Sequence, residues 1–208
     1  MKPLVFTGCG RSGTGYVAQV LTLAGVDCGH ERIFRGRATP EEQGRLEPAT
    51  VESSWFAAPF LEGSTLAEVL VVHLVRDPRT WVDSWLRSRV SRYPNIRRYM
   101  RFWCPELLQE LDPRIAAMRY WLQWNRRVER LAALRIRIEE IDEAQLGLAL
   151  QDSGRPRLEG ALYRAMLPTN VPPNWNTKGG QPRRLEWDEL PTGPTKRKTM
   201  AMAEELGY

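Results

Sequence analysis

GCGRSGTGY, residues Gly8 to Tyr16, follows the apolar run Leu4, Val5, Phe6 and precedes a helical apolar pattern. The chain therefore reads there as a strand, a glycine-rich loop and the start of a helix. Such a loop offers backbone N–H groups that have no intrahelical acceptor, at the positive end of a helix dipole, and so forms an anion cradle before any side chain is considered. Arg11 adds a cation, and Ser12 and Thr14 add hydroxyls. The expected cargo is a phosphate or sulfate group.

Several loop chemistries can be tested against these residues. The nucleotide-hydrolase pattern GxxxxGK[ST] fits at Gly8 and Gly13, but Thr14 stands where the lysine belongs. The dinucleotide pattern GxGxxG fits at Gly8, Gly10 and Gly13, yet it requires a second strand ending in an acidic residue about twenty positions on. Only the short GVDC, with Asp27, is available for that, and it is a poor strand. A phosphatase reading would make Cys9 the nucleophile and needs an arginine where Gly15 is found. Cys9 is read as a small loop residue.

A second informative stretch is LVVHLVRDPRTWVDSW, residues Leu70 to Trp85. Val69 to Val75 has the length and β-branched character of a buried strand, and Arg76 ends it. Asp77 suits an N-cap and Pro78 the first helical position, so a helix is predicted to start there. Ser84 lies seven residues beyond Asp77 and shares its face of that helix. A guanidinium and a hydroxyl can then converge on one anion. The plainer alternative, for either residue alone, is an arginine held by a carboxylate and a serine that only packs.

Taken together, GRSGTGY and the arginine–serine pair Arg76 and Ser84 resemble the two phosphate-binding motifs of the sulfotransferases that use 3′-phosphoadenosine 5′-phosphosulfate (PAPS). The resemblance implies that Gly10, Arg11, Ser12, Gly13, Thr14 and Gly15 bind the phosphosulfate, with Arg11 stabilising the leaving 5′-phosphate. It implies that Tyr16 takes a position where an aromatic ring stacks on adenine in some members. Arg76 and Ser84 would hold the 3′-phosphate. A basic C-terminal loop closes on that phosphate in the family, and VPPNWNTKGGQPRRLEW supplies Lys178, Arg183 and Arg184 for it; a surface loop meeting only water is the alternative. A final helix, in MAMAEELGY, is expected to pack on the sheet. The fold implied is a single α/β domain over residues 1–208, three-layered, with a mainly parallel central sheet ordered as in P-loop nucleotide kinases.

A general base is less sharply marked. His73 lies within the buried strand, where a satisfied core histidine is the natural reading. His30 and Glu31, in GHERIF after the first helix, occupy a place where a glutamate serves as base in some bacterial sulfotransferases. Glu31 is the first candidate and His30 the second; a glutamate acting near neutral pH needs its pKa raised by burial. The acceptor is expected to be a hydroxyl or amine of a small molecule, carbohydrate or lipid. No metal is required, and no ligand cluster for one is visible. Two other functions remain open: a nucleoside- or nucleotide-kinase-like phosphotransferase, and a nucleic-acid-binding module.

The last possibility draws on charge. The 208 residues carry a net +5, which fits an anionic ligand, nucleic acid or an acidic surface alike. Six arginines, at 87, 89, 92, 97, 98 and 101, run without an acidic residue until Glu106, interleaved with Tyr93, Tyr99, Phe102 and Trp103. The first expectation is a solvated helical cover with its aromatic residues turned inward; a lid facing an anionic acceptor is the functional alternative. Three widely spaced cysteines, Cys9, Cys28 and Cys104, suggest reduced thiols. Met1, Lys2 and Pro3 lead straight into the first strand and no apolar stretch is long enough to span a membrane, so a cytoplasmic protein with no membrane span is expected.

The first helix is predicted over about Thr14 to Ala24 with Gly25 as its stop. GVDCGHERIF reads as turn-like, and Glu31 to Glu52 as a polar, mobile surface loop. A long amphipathic helix is predicted over Arg114 to Leu134, before a strand in LRIRIEEI.

Overall fold

The computed structural model describes residues 1–36, 45–62, 68–88, 93–170 and 182–208. Strands β1 (Leu4–Gly8), β2 (Cys28–His30), β3 (Val51–Ser53), β4 (Leu70–Val75) and β5 (Leu134–Arg137) form one sheet in the order β2-β3-β1-β4-β5. Every pairing is parallel. This order is consistent with a P-loop-like Rossmannoid topology. β1 and β4 are buried throughout, as parallel strands covered on both faces must be.

Side chains alternate between two layers. Leu4, Phe6, Leu70, Val72 and Leu74 meet Val17, Val20 and Leu21 of α1 (Thr14–Leu23), with α6 (Glu143–Asp152) and α7 (Glu159–Met166) completing that layer. Val5, Val71 and Val75 face the other way, toward α3 (Pro78–Ser88), α4 (Pro94–Trp103) and α5 (Pro113–Glu129), with the short α2 (Ala58–Leu61) at its rim. α8 (Pro194–Glu205) lies against α5. It does not sit directly on the sheet as expected, because α5 already covers that ground and Met202, Ala203 and Leu206 extend the α5 core outward.

The local signals at both main motifs act as expected. Asp77 caps α3: its Oδ1 accepts the Arg79 N–H at 2.9 Å, its carbonyl accepts Trp81 N–H at 2.8 Å, and Pro78 starts the helix. Gly25, at φ +92, ends α1. His73 is a satisfied core histidine on one side, its Nε2 being 2.8 Å from Asn125 Oδ1. Asn125 Nδ2 donates to the Trp121 carbonyl at 2.8 Å, so its Oδ1 is the acceptor and His73 donates.

Other expectations are corrected. GVDCGHERIF contains β2, and the stretch read as loop up to Glu52 ends inside β3. Glu52 is fully buried there and accepts the Ile33 N–H at 3.0 Å; residues 37–44 lie outside the described residues. The long helix stops at Glu129, and Ala133 N–H already bonds the Val71 carbonyl at the edge of β5. Of the arginine segment, α4 buries Ile96, Tyr99 and Met100 and exposes Arg97, Arg98 and Arg101. This is the expected helical cover, although Tyr93 and Phe102 are exposed. Arg89 and Arg92 lie outside the described residues.

Candidate anion-binding site

The glycine loop leaves β1 at Gly8, where a Cβ would stand 2.0 Å from the Leu74 carbonyl oxygen, so no larger residue fits. It enters α1 at Gly13, whose φ of +90 and contact with Ile138 again admit only glycine. Gly13 caps α1 with no side-chain hydrogen bond. The first-turn N–H groups thus have no capping side-chain acceptor among the described residues, as an anion cradle requires. Ser12 is fully buried and its Oγ has no hydrogen-bond partner among the described residues. An unmet buried hydroxyl costs about 1–3 kcal/mol, which a ligand oxygen would recover.

Arg11 is a non-glycine residue at φ +75, a backbone state costing on the order of 1 kcal/mol or more. It is held there from the second motif, because Arg76 Nη1 donates to the Arg11 carbonyl at 3.1 Å. Arg11 Nε in turn lies 3.4 Å from Ser84 Oγ. Arg11, Arg76 and Ser84 therefore meet, brought together by the β1–β4 pairing and by the helix that Asp77 starts. Burial pulls both guanidinium pKa values down, and the charge of Arg76 adds to the effect on Arg11. Two crowded, partly desolvated cations of this kind are stabilised by an anion between or beside them.

Aromatic rings fix the loop from outside. Trp81 Nε1 donates to the Gly10 carbonyl at 2.6 Å, and Trp121 Nε1 to the Arg76 carbonyl at 3.1 Å. Trp55 and Trp85 press against Gly10 so closely that a Cβ there would be 3.0 Å from one ring and 3.2 Å from the other. On the β3 side, Ser53 Oγ donates to the Thr14 carbonyl at 2.8 Å.

His30 ends β2 and Glu31 follows it, with His30 Nε2 3.6 Å from Glu31 Oε1. Glu31 takes φ +55 and its N–H bonds the Ser53 carbonyl at 3.4 Å. Burial pushes its carboxyl up to about 7, opposed by a hydrogen bond from Trp55 and reinforced by the nearby Glu52. Burial moves His30 the opposite way, favouring the neutral imidazole. Glu31 connects to the loop through Trp55, which touches Gly10.

The C-terminal basic residues meet more than water. Arg184 Nε lies 2.7 Å from Asp77 Oδ2, and Arg183 pairs with Glu189 while its N–H bonds Asp83 at 2.9 Å. Both anchor the segment before α8 along α3, the helix that carries Ser84. Lys178 lies outside the described residues. Tyr16 is half-buried on α1 against the aliphatic layer. Gly15 and Thr14 form the first turn of α1.

The indole anchors Trp81 and Trp121, the bridge from Ser53 and the Arg184–Asp77 pair are absent from the sequence-based expectations. Only the helical spacing of Trp81, Ser84 and Trp85 hinted at the first. Among the described residues no group of three His, Cys, Asp or Glu side chains could hold a metal ion, and no helix is long and apolar enough to cross a membrane. No protein-family model matches the chain, and none of the curated proteins searched is significantly similar to it.

Proposed function

We propose that this protein transfers a sulfuryl group from PAPS to a hydroxyl or amine of a small-molecule, carbohydrate or lipid acceptor, on a P-loop nucleotide-kinase-like scaffold. The observation that carries the reading is the meeting of Arg11, Arg76 and Ser84 from three separate elements. The unmet Ser12 hydroxyl and the uncapped start of α1 fit the same donor. PAPS supplies the sulfuryl group and a leaving phosphate.

In this reading the α1 N–H groups, Ser12 and Thr14 bind the 5′-phosphosulfate, and Arg11 stabilises charge that grows on the leaving oxygen. Arg76 and Ser84 take the 3′-phosphate, which distinguishes the donor from ATP. Glu31, its carboxyl raised to about 7 by burial, accepts the acceptor's proton near neutral pH. Sulfuryl transfer, like phosphoryl transfer, then rests on positioning and charge stabilisation.

Calorimetry with adenosine 3′,5′-bisphosphate and ATP tests the donor site. The bisphosphate should bind more tightly, and Arg76→Ala should weaken it roughly tenfold or more, since charge-assisted bonds contribute about 1.5–3 kcal/mol each. Equal affinity for ATP would favour the phosphotransferase. Binding of unrelated nucleic acids with a steep salt dependence, and of neither nucleotide, would favour the nucleic-acid module. Mass spectrometry of cell extracts incubated with PAPS and the protein would identify the sulfated acceptor.

A further inference from the structure

A groove of about 520 Å³ lies on the outer side of α5, between that helix, α8 and the end of α4. It shares no lining residue with the glycine loop, Arg76 or Ser84. Trp121 marks the level of Arg76 on α5, and the groove's arginines follow five to nine residues later, roughly 7–14 Å further along the helix. Its volume is in the range of small-molecule sites, about 300–1,000 Å³.

Four cations line it, and their pairing is uneven. Arg126 is occupied at both ends, by Glu129 at 3.0 Å and by Glu205 at 2.6 Å. Arg127 is different. Its Nε is pinned by Glu62 Oε1 at 2.7 Å, and its guanidinium lies over the rings of Trp103 and Trp124 at 5.7 and 5.4 Å. The two terminal nitrogens of that fork have no partner among the described residues. Arg130 at the C-terminal cap of α5 and Lys198 on α8 likewise make no ion pair among the described residues.

The two lining carboxylates are already engaged, Glu62 by Arg127 and Glu106 by the Gln123 amide. Three cations from two helices thus share one concavity, and one of them is a rigid fork seated on indole rings. Trp103 and Leu122 add apolar wall beside it. A guanidinium held in this way keeps its bidentate geometry without having to order a flexible side chain when an anion arrives.

We propose that this groove is a second binding site, for a small organic anion: a carboxylate or phosphate or sulfate monoester with a ring or other apolar body. The Arg127 fork receives the anionic group, Arg130 and Lys198 close on it from two sides, and the apolar part lies along Trp103 and Leu122. The site is independent of the donor chemistry at the glycine loop.

The test is titration of the full chain with phenyl phosphate, benzoate and uncharged phenol, read by calorimetry and by the isotope-labelled indole N–H resonance of Trp103. Phenyl phosphate and benzoate should move that resonance saturably, with phenol about tenfold weaker or more. The double variant Arg130→Glu/Lys198→Glu alters exposed side chains that make no ion pair among the described residues, so the fold is retained, and it should weaken phenyl phosphate by about tenfold or more. Arg127→Lys keeps charge and stem but loses the fork, and should weaken it a few-fold. Arg76→Ala should leave the Trp103 response intact. No saturable shift at millimolar ligand, an unchanged affinity in the double variant, or loss of the Trp103 response in Arg76→Ala would each overturn the proposal, the last by assigning the anion to the glycine loop.

Discussion

The two layers covering the sheet fill space with different side chains. The layer of α1, α6 and α7 uses Val17, Val20, Leu21, Leu146, Leu150 and Leu162, all fully buried and aliphatic. The layer of α3, α4 and α5 uses Trp81, Trp85, Tyr99, Tyr120, Trp121 and Trp124; Trp81 stacks on Trp85 and Trp85 on Tyr120, while Tyr120 lies tilted against Trp124. Four of its rings or their neighbours carry a polar handle with a destination. Trp81 donates to Gly10, Trp121 to Arg76, Trp124 to Trp55 and Tyr99 to Phe56, each to a backbone carbonyl. An aliphatic layer can only hold strands down; an aromatic one can also fix the loops that leave them.

If that division of labour is real, the largest loss of stability should come from the aliphatic side without touching the site. Leu21→Ala should cost about 2–5 kcal/mol in denaturant unfolding while the folded protein's affinity for adenosine 3′,5′-bisphosphate is unchanged. A matching loss of affinity would break the distinction.

Acid sensitivity should belong to the aromatic side. His73 is buried against Asn125, and burial lowers its pKa to about 4. Below its ordinary value near 6.5 the unfolded chain takes up a proton that the folded one refuses, so stability falls as pH drops from 6.5 to 4, by about 3 kcal/mol for this group. Denaturant titrations at several pH values should show this slope in the wild type and a shallower one in His73→Gln.

Trp81→Phe keeps the ring and removes the N–H, leaving the Gly10 carbonyl without its donor. A cost of about 1–3 kcal/mol is expected. Unlike Leu21→Ala, it should also weaken bisphosphate binding, which calorimetry on the same sample would read.

The smallest effect concerns Glu31, tied to the aromatic layer through Trp55. Its folded pKa of about 7 exceeds the ordinary 4.5, so the folded state keeps a proton that the unfolded state releases, and stability falls as pH rises from 4.5 to 7. The carboxylate is partly solvated, and with that screening the contribution is on the order of 1 kcal/mol. Glu31→Gln should be more stable than the wild type by that amount above pH 7 and equal to it below pH 4.

What could be read from sequence was local. β1, the loop, α1, β4 and the start of α3 are each marked within a dozen residues by an apolar run, a glycine or a cap. β2 and β3 are three residues each, CGH and VES, and a glutamate in the middle of VES argues against a buried strand until the Ile33 N–H is seen to meet its carboxyl group. The site divides in the same way. Arg11, Arg76 and Ser84 were legible as types at a spacing, whereas the Trp81 anchor spans 71 positions and the Arg184–Asp77 pair 107, with nothing at either end to announce the other.

The pairing of Gly8 with Leu74 works as a ruler. From that rung the chain runs three residues to Arg11 on one strand and two to Arg76 on the other, so the gap between the two halves of the anion site is counted out by backbone hydrogen bonds rather than chosen by the side chains. The Leu74 carbonyl, lodged where a side chain at position 8 would be, locks the rung. One inserted residue in either strand would leave both motifs intact as text while sliding one past the other by about 3.3 Å and turning alternate side chains to the wrong layer. In a distant sequence, then, the distances from this rung identify a working site better than the motif letters do.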